Sequence, residues 1–108
     1  MIAVEQKIDA LMLNSIDNVA VALENLKAGE SISIQGKDGV LKIGENIPYG
    51  HKVAVRTILK DDKVLKYGEC MGIATEDIPA GNHVHVSNVR GLNKEDKTTV
   101  SLKGGVKS

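Results

Sequence analysis

The chain has 108 residues, with 14 Lys plus Arg balanced by 14 Asp plus Glu, 42% hydrophobic residues, two tyrosines, and no Phe or Trp. That is the length of one domain, with a core restricted to Val, Ile, Leu and Ala. The absence of a basic field or an aromatic stacking platform argues against nucleic-acid binding, and no apolar run approaches the ~20 residues of a membrane span.

In chain order, Met1-Ile2-Ala3-Val4-Glu5-Gln6-Lys7 carries early charges with no apolar stretch behind it, so no signal peptide is expected. The lone Cys70 cannot form an internal disulfide, and a reducing, cytoplasmic setting is expected. Ala10-Leu11-Met12-Leu13 reads as a first strand. Val19, Ala22, Leu23 and Leu26 fall at i, i+3, i+4 and i+7, with Asp17 as N-cap and Gly29 as terminator. This predicts one short helix near residues 18–27.

From Leu26 onward one pattern recurs: an apolar residue, two spacers, a turn residue, then alternating apolar residues. Leu26-Lys27-Ala28-Gly29 leads into Ile32 and Ile34. Ile47-Pro48-Tyr49-Gly50 leads into Val53 and Val55. Ile58-Leu59-Lys60-Asp61 and Ile78-Pro79-Ala80-Gly81 do the same. Gly, or Asp in one copy, tolerates the left-handed backbone that a tight turn needs. The expected architecture is mostly β, made of short strands and sharp corners, over residues 1–92. Residues 93–108 form a polar C-terminal tail in which Thr98-Thr99-Val100-Ser101-Leu102 suits a strand.

The three histidines and two tyrosines fall in three clusters. In His83-Val84-His85-Val86-Ser87-Asn88, strand alternation places Val84 and Val86 on one face and His83 and His85 on the other, roughly 7 Å apart at the backbone. Such a pair suits a divalent metal, an anionic ligand or acid–base work near neutral pH; two solvent-facing rings on a half-exposed strand fit equally well. Gly50-His51-Lys52 suits a grip on a carboxylate, or else an ordinary exposed turn. In Lys66-Tyr67-Gly68 the phenol is either a proton donor or the edge of a packing ring. Cys70 sits in an apolar stretch without a neighbouring base, as a structural cysteine does.

Six motifs taken in order resemble a known family: Asp17-Asn18-Val19-Ala20-Val21-Ala22, Gly50-His51-Lys52-Val53-Ala54, Val64-Leu65-Lys66-Tyr67-Gly68, Met71-Gly72-Ile73-Ala74, Ile78-Pro79-Ala80-Gly81 and His83-Val84-His85-Val86-Ser87-Asn88. The set, spanning roughly residues 10 to 90, is similar to the small SAF-type domain of the altronate and galactarate dehydratases. The resemblance implies a β-clip fold and a small subunit of a hydro-lyase that converts a sugar acid to a 2-keto-3-deoxy acid. It also implies a large catalytic subunit as partner, a small hydroxy acid as substrate, and a divalent metal, Fe2+ or Mn2+, held mainly by that partner. A homo-oligomer stays open. A related sulfolactate sulfo-lyase has a similar small subunit and eliminates sulfite. SAF-type domains also serve as non-catalytic sugar-acid-binding or assembly modules, so the fold alone leaves activity open. On this resemblance His83 and His85 are the catalytic residues and the candidate metal ligands, and His51, Lys52, Lys66, Tyr67 and Asn88 face the substrate. The family's last motif often carries a third histidine where this chain has Ser87, which leaves the third imidazole missing from that strand face.

Overall fold

A computed structural model describes residues 7–92. The strands are β1 (Ala10–Leu11), β2 (Val19–Ala22), β3 (Ser31–Gln35), β4 (Lys37–Lys42), β5 (Lys52–Ala54), β6 (Lys63–Lys66), β7 (Glu69–Ala74), β8 (His83–Val84) and β9 (Val89–Arg90). One sheet has the order β4-β3-β1-β2-β5-β8 and the other β6-β7-β9. All pairings are antiparallel except β1 with β3, where Ala10 lies opposite Ile34. The expected mostly-β architecture is therefore present. The 93–108 tail and the Thr98–Leu102 strand lie outside the described residues.

The recurring pattern marks four corners. Gly29, Gly50, Asp61 and Gly81 have φ of 92°, 83°, 76° and 92°. Each is the third residue of a turn closed by an i+3 bond: Glu30 N–H to Lys27 O, His51 N–H to Pro48 O, Asp62 N–H to Leu59 O and Asn82 N–H to Pro79 O, at 2.9–3.0 Å. A turn of this kind requires positive φ at that position, which is why Gly, or a tolerant Asp, stands there. The apolar residue opening each copy pairs with that of another copy. Leu26 bridges Ile47, and Ile58 bridges Ile78, each pair exchanging two backbone hydrogen bonds. These four are among the largest fully buried side chains, and burial of each stabilises the fold by about 1.5–3 kcal/mol.

Two apolar clusters result. Leu26, Ile32, Ile34, Ile43, Ile47 and Val53 belong to one, and Val19, Ala54, Ile58, Val64, Ile78 and Val84 to the other. Val53 and Ala54, adjacent in β5, point into different clusters. The β5–β8 pair thus stands where the two cores meet.

Two expectations need correction. The helix near residues 18–27 is absent: Val19–Ala22 is a strand between β1 and β5, and its chain continues through Leu23 into the corner at Leu26. A short Val/Ala run buried on both faces satisfies helical spacing and strand pairing alike. Here ladder bonds to two neighbours, with β-branched Val19 and Val21, decide for the strand. Leu23, assigned to the buried helical face, is exposed. The strand expected through Val86 stops at Val84, and residues 85–88 turn back: the Asn88 N–H donates to His85 O at 2.9 Å. Val84 is fully buried while Val86 is 91% exposed, so the two valines do not share a face.

Candidate functional site

Pairing of Lys52 with Val84 and of Val53 with His83 brings the exit of the Gly50 turn beside the end of β8. Three imidazoles meet there. His51 Nδ1 lies 2.9 Å from His83 Nε2, with ring centres 5.0 Å apart and the planes tilted by 39°. The His85 ring stacks on His83, with centres 4.0 Å apart and planes within 17°. The Ser87 hydroxyl is 2.9 Å from His85 Nε2.

The backbone beneath these rings is fixed from several sides. His51 donates its N–H to Pro48 O at 3.0 Å and accepts from Ala22 N–H at 2.8 Å. The His83 N–H donates to the Glu45 carboxylate at 2.9 Å. Asn88 brackets the histidine segment: its amide donates to His83 O at 2.8 Å and accepts from His85 N–H at 2.9 Å. Its own carbonyl accepts from Thr75 N–H at 2.9 Å, which ties the turn to the end of β7. Asn88 is buried and its amide is engaged with backbone, not turned toward a ligand.

Burial and neighbouring basic groups set the electrostatics of His83 and Lys52. Burial lowers the His83 pKa below its usual 6.5, reinforced by His85, His51 and Lys52 and opposed by Glu45. Burial also lowers the pKa of the half-buried Lys52, with Lys66 as the second cause. Two open clefts adjoin this group. One, of about 340 Å³, is lined by Gly50, His51, Lys52, Val84, His85 and Val86. The other, of about 240 Å³, is lined by Lys52, His85 and Arg90 together with Val64, Met71, Val86, Val89 and Gly91. Neither lining contains a carboxylate, and His85, Lys52 and Val86 border both. Lys66 and Tyr67 sit further out at the β6–β7 turn, where the Lys66 ammonium lies 5.0 Å from the Tyr67 ring centre.

The structure thus gathers His51, Lys52, His83 and His85, keeps Lys66 within electrostatic reach of Lys52, and places Asn88 underneath. The reading from sequence missed that His51 supplies a third ring, since nothing local announces the β5–β8 register. It also missed Glu45, which lies 38 residues before His83 in the chain. Among the described residues no group of three or more His, Cys, Asp or Glu side chains is placed to hold a metal. The donors fit part of a coordination shell. The nearly parallel planes of the stacked His83 and His85 rings keep their in-plane lone pairs from converging on one ion, whereas His51 and His83 turn ring nitrogens toward each other.

A family model described as the altronate/galactarate dehydratase SAF domain matches residues 8–92. The chain belongs to that family. The SAF domain is 40% identical over 80 residues to an altronate dehydratase of Escherichia coli (strain K12), covering 74% of this chain and 16% of that protein. It is 37% identical over 81 residues to the galactarate dehydratase (L-threo-forming) of the same organism, covering 73% of this chain and 14% of that protein. Against the (2R)-sulfolactate sulfo-lyase subunit alpha of Chromohalobacter salexigens it is 34% identical over 88 residues, 77% of this chain and 94% of the relative. The SAF domain therefore spans about one sixth of the length of the dehydratases and nearly all of the sulfo-lyase subunit. No helix among the described residues is long and apolar enough to cross a membrane.

Proposed function

We propose that this SAF domain is the small component of a sugar-acid hydro-lyase, acting with a large catalytic chain on an altronate- or galactarate-type substrate. The observation that carries the reading is the carboxylate-free cleft bordered by His51, Lys52 and His85, in a chain whose relatives are lyases. A cleft that holds a lysine and two imidazoles and no carboxylate suits a hydroxy acid, whose carboxylate can accept hydrogen bonds from them.

The reaction removes the proton from C2 of a 2,3-dihydroxy acid, forms the C2–C3 double bond as the C3–O bond breaks, and releases water. The enol then ketonises to the 2-keto-3-deoxy acid. His51 and Lys52 hold the carboxylate, and Lys66 adds to the local positive field. His85, which borders both clefts, exchanges a proton with C2 or with the departing hydroxyl, and the Ser87 hydroxyl orients its Nε2. His83 supports His85 by stacking and His51 by its ring contact. Asn88 acts through the backbone it brackets, and Tyr67 serves the rim. A divalent metal, Fe2+ or Mn2+ held mainly by the large chain, would supply Lewis-acid polarisation of the substrate's oxygens.

The near-complete overlap with the sulfo-lyase subunit alpha favours a second reading, in which the same site serves elimination of sulfite from sulfolactate. Purification from the native host with whatever large chain accompanies this one separates the two. The first reading expects 2-keto acid from altronate or galactarate, and the second expects sulfite from sulfolactate. The small chain alone is expected to be inactive. In the reassembled enzyme, His85→Ala should lower turnover by about 10²-fold or more without moving the melting temperature. Full turnover with both His83→Ala and His85→Ala would remove the histidines from the chemistry.

A further inference from the structure

We propose that His51 Nδ1 and His83 Nε2 form a two-nitrogen chelate for a first-row divalent cation on this chain itself. This inference stands on the geometry of the two rings and does not depend on the dehydratase reading. It also shifts the donor pair from His83 and His85 to His51 and His83.

The distance is the first argument. Two imidazole nitrogens bound to one ion at about 2.0–2.1 Å and at right angles are about 3.0 Å apart. His51 Nδ1 and His83 Nε2, from segments 32 residues apart, are already 2.9 Å apart. Chemistry gives the second argument. Two neutral imidazole nitrogens at this separation cannot both present bare lone pairs, so either a hydrogen or a cation lies between them. A cation bound to both nitrogens sits off the line that joins them, so each ring turns about its side-chain bonds to bring its lone pair onto the ion. His83 and His85 are placed less well for one ion, because their rings stack in nearly parallel planes in which the lone pairs do not converge.

The supporting backbone is the third argument. The backbone of His83 is held by Glu45 and Asn88, and that of His51 by Pro48 and Ala22, so the segments that carry the two rings are fixed before an ion arrives. The donor type sets the class of ion. Imidazole without carboxylate suits Zn2+, Co2+, Ni2+ or Fe2+ and disfavours Mg2+ and Ca2+. His51 borders a cleft, from which water or the oxygens of a hydroxy acid would complete the shell.

The test uses the untagged full chain after treatment with EDTA, titrated at pH 7.5 with Zn2+ and with Co2+, and with Mg2+ as a control. Calorimetry, Co2+ absorption and histidine-ring NMR are the readouts. One equivalent of Zn2+ or Co2+ should bind, shifting the His51 and His83 ring signals, and Mg2+ should not. His51→Ala and His83→Ala should each weaken binding by at least about tenfold, and His85→Ala by less than about threefold. His51→Gln, which keeps a polar group in place, repeats the test if the alanine variant melts early. The proposal is overturned if the wild-type chain binds no Zn2+ at millimolar concentration. It is equally overturned if His51→Ala binds as tightly as wild type, or if His85→Ala loses as much as the other two. All of these outcomes are read without a partner chain or turnover, so they are independent of whether the lyase reading holds.

Discussion

Asp17 is the residue that most changes meaning between chain and fold. Its local context suits a helix cap, yet it is fully buried and its carboxylate accepts Tyr67 N–H and Gly68 N–H, both at 2.8 Å, and Asn14 N–H at 3.2 Å. Those first two donors lie in the β6–β7 turn, where Tyr67 adopts φ of 57° and Gly68 80°. Asn18 continues the clamp by accepting from Leu65 N–H at 2.7 Å and donating to Lys63 O at 2.8 Å. Asp17→Ala strands three donors, and urea unfolding should register a loss of about 3 kcal/mol or more. Asp17→Asn offers one oxygen where two served and should fall between the two. A loss below about 1 kcal/mol for the alanine variant would mean that water replaces the carboxylate.

His83 makes a second residue-scale prediction. Its folded pKa is lowered from 6.5, so protonation favours the unfolded chain. Above pH 6.5 both states are neutral there and His83 contributes nothing to the pH dependence. As the pH falls through 6.5 the unfolded chain takes up the proton first, and stability drops until the folded pKa is passed. In EDTA-containing buffer, wild type should therefore lose more in melting temperature between pH 7.5 and pH 5 than His83→Gln does. Equal losses would assign the acid sensitivity to other groups.

At the scale of elements, the corners were legible in the chain and the ladders were not. A left-handed turn residue is a local steric requirement, so Gly29, Gly50, Asp61 and Gly81 announce it wherever the chain goes. The helix misreading arose because Val19, Ala22 and Leu26, buried at helical spacing, do not reveal which partners bury them. The His51–His83 meeting depends on the β5–β8 register, and no spacing within either segment encodes it. The corners themselves differ in environment. A Cβ on Gly81 would run into Lys42 O, whereas one on Gly29 meets open space, although both have φ of 92°. Gly29→Ala should cost about 1–2 kcal/mol, the left-handed penalty alone. Gly81→Ala adds a backbone clash beside β8 and should cost clearly more, with broadened His83 NMR signals. Equal costs would show that the sheet near Lys42 yields freely.

At the scale of the whole molecule, the two cores meet at the β5–β8 pair. The β5–β8 pair anchors Val53 in one cluster and Ala54 and Val84 in the other, so the imidazoles project from a part of the fold gripped on both sides. Directly beyond it stands Val86, an almost fully exposed apolar side chain that borders both clefts. A β-branched apolar residue between two clefts lined by basic side chains suits a surface that another polypeptide covers, and a large catalytic chain is the occupant the proposed function requires. Val86→Asp tests this. Exposed in a turn, the aspartate should leave the melting temperature of the small chain within about 1–2 °C of wild type, as surface substitutions do. Placed at a buried interface it would add an unpaired desolvated charge, which should weaken association with the large chain by at least about tenfold and lower turnover of the mixture. Hydrogen exchange in residues 83–88 should slow when the wild-type chains are mixed and stay fast with the variant. If the Val86→Asp chain assembles and turns over like wild type, the cleft opens away from the partner, and the large chain must be sought on another face.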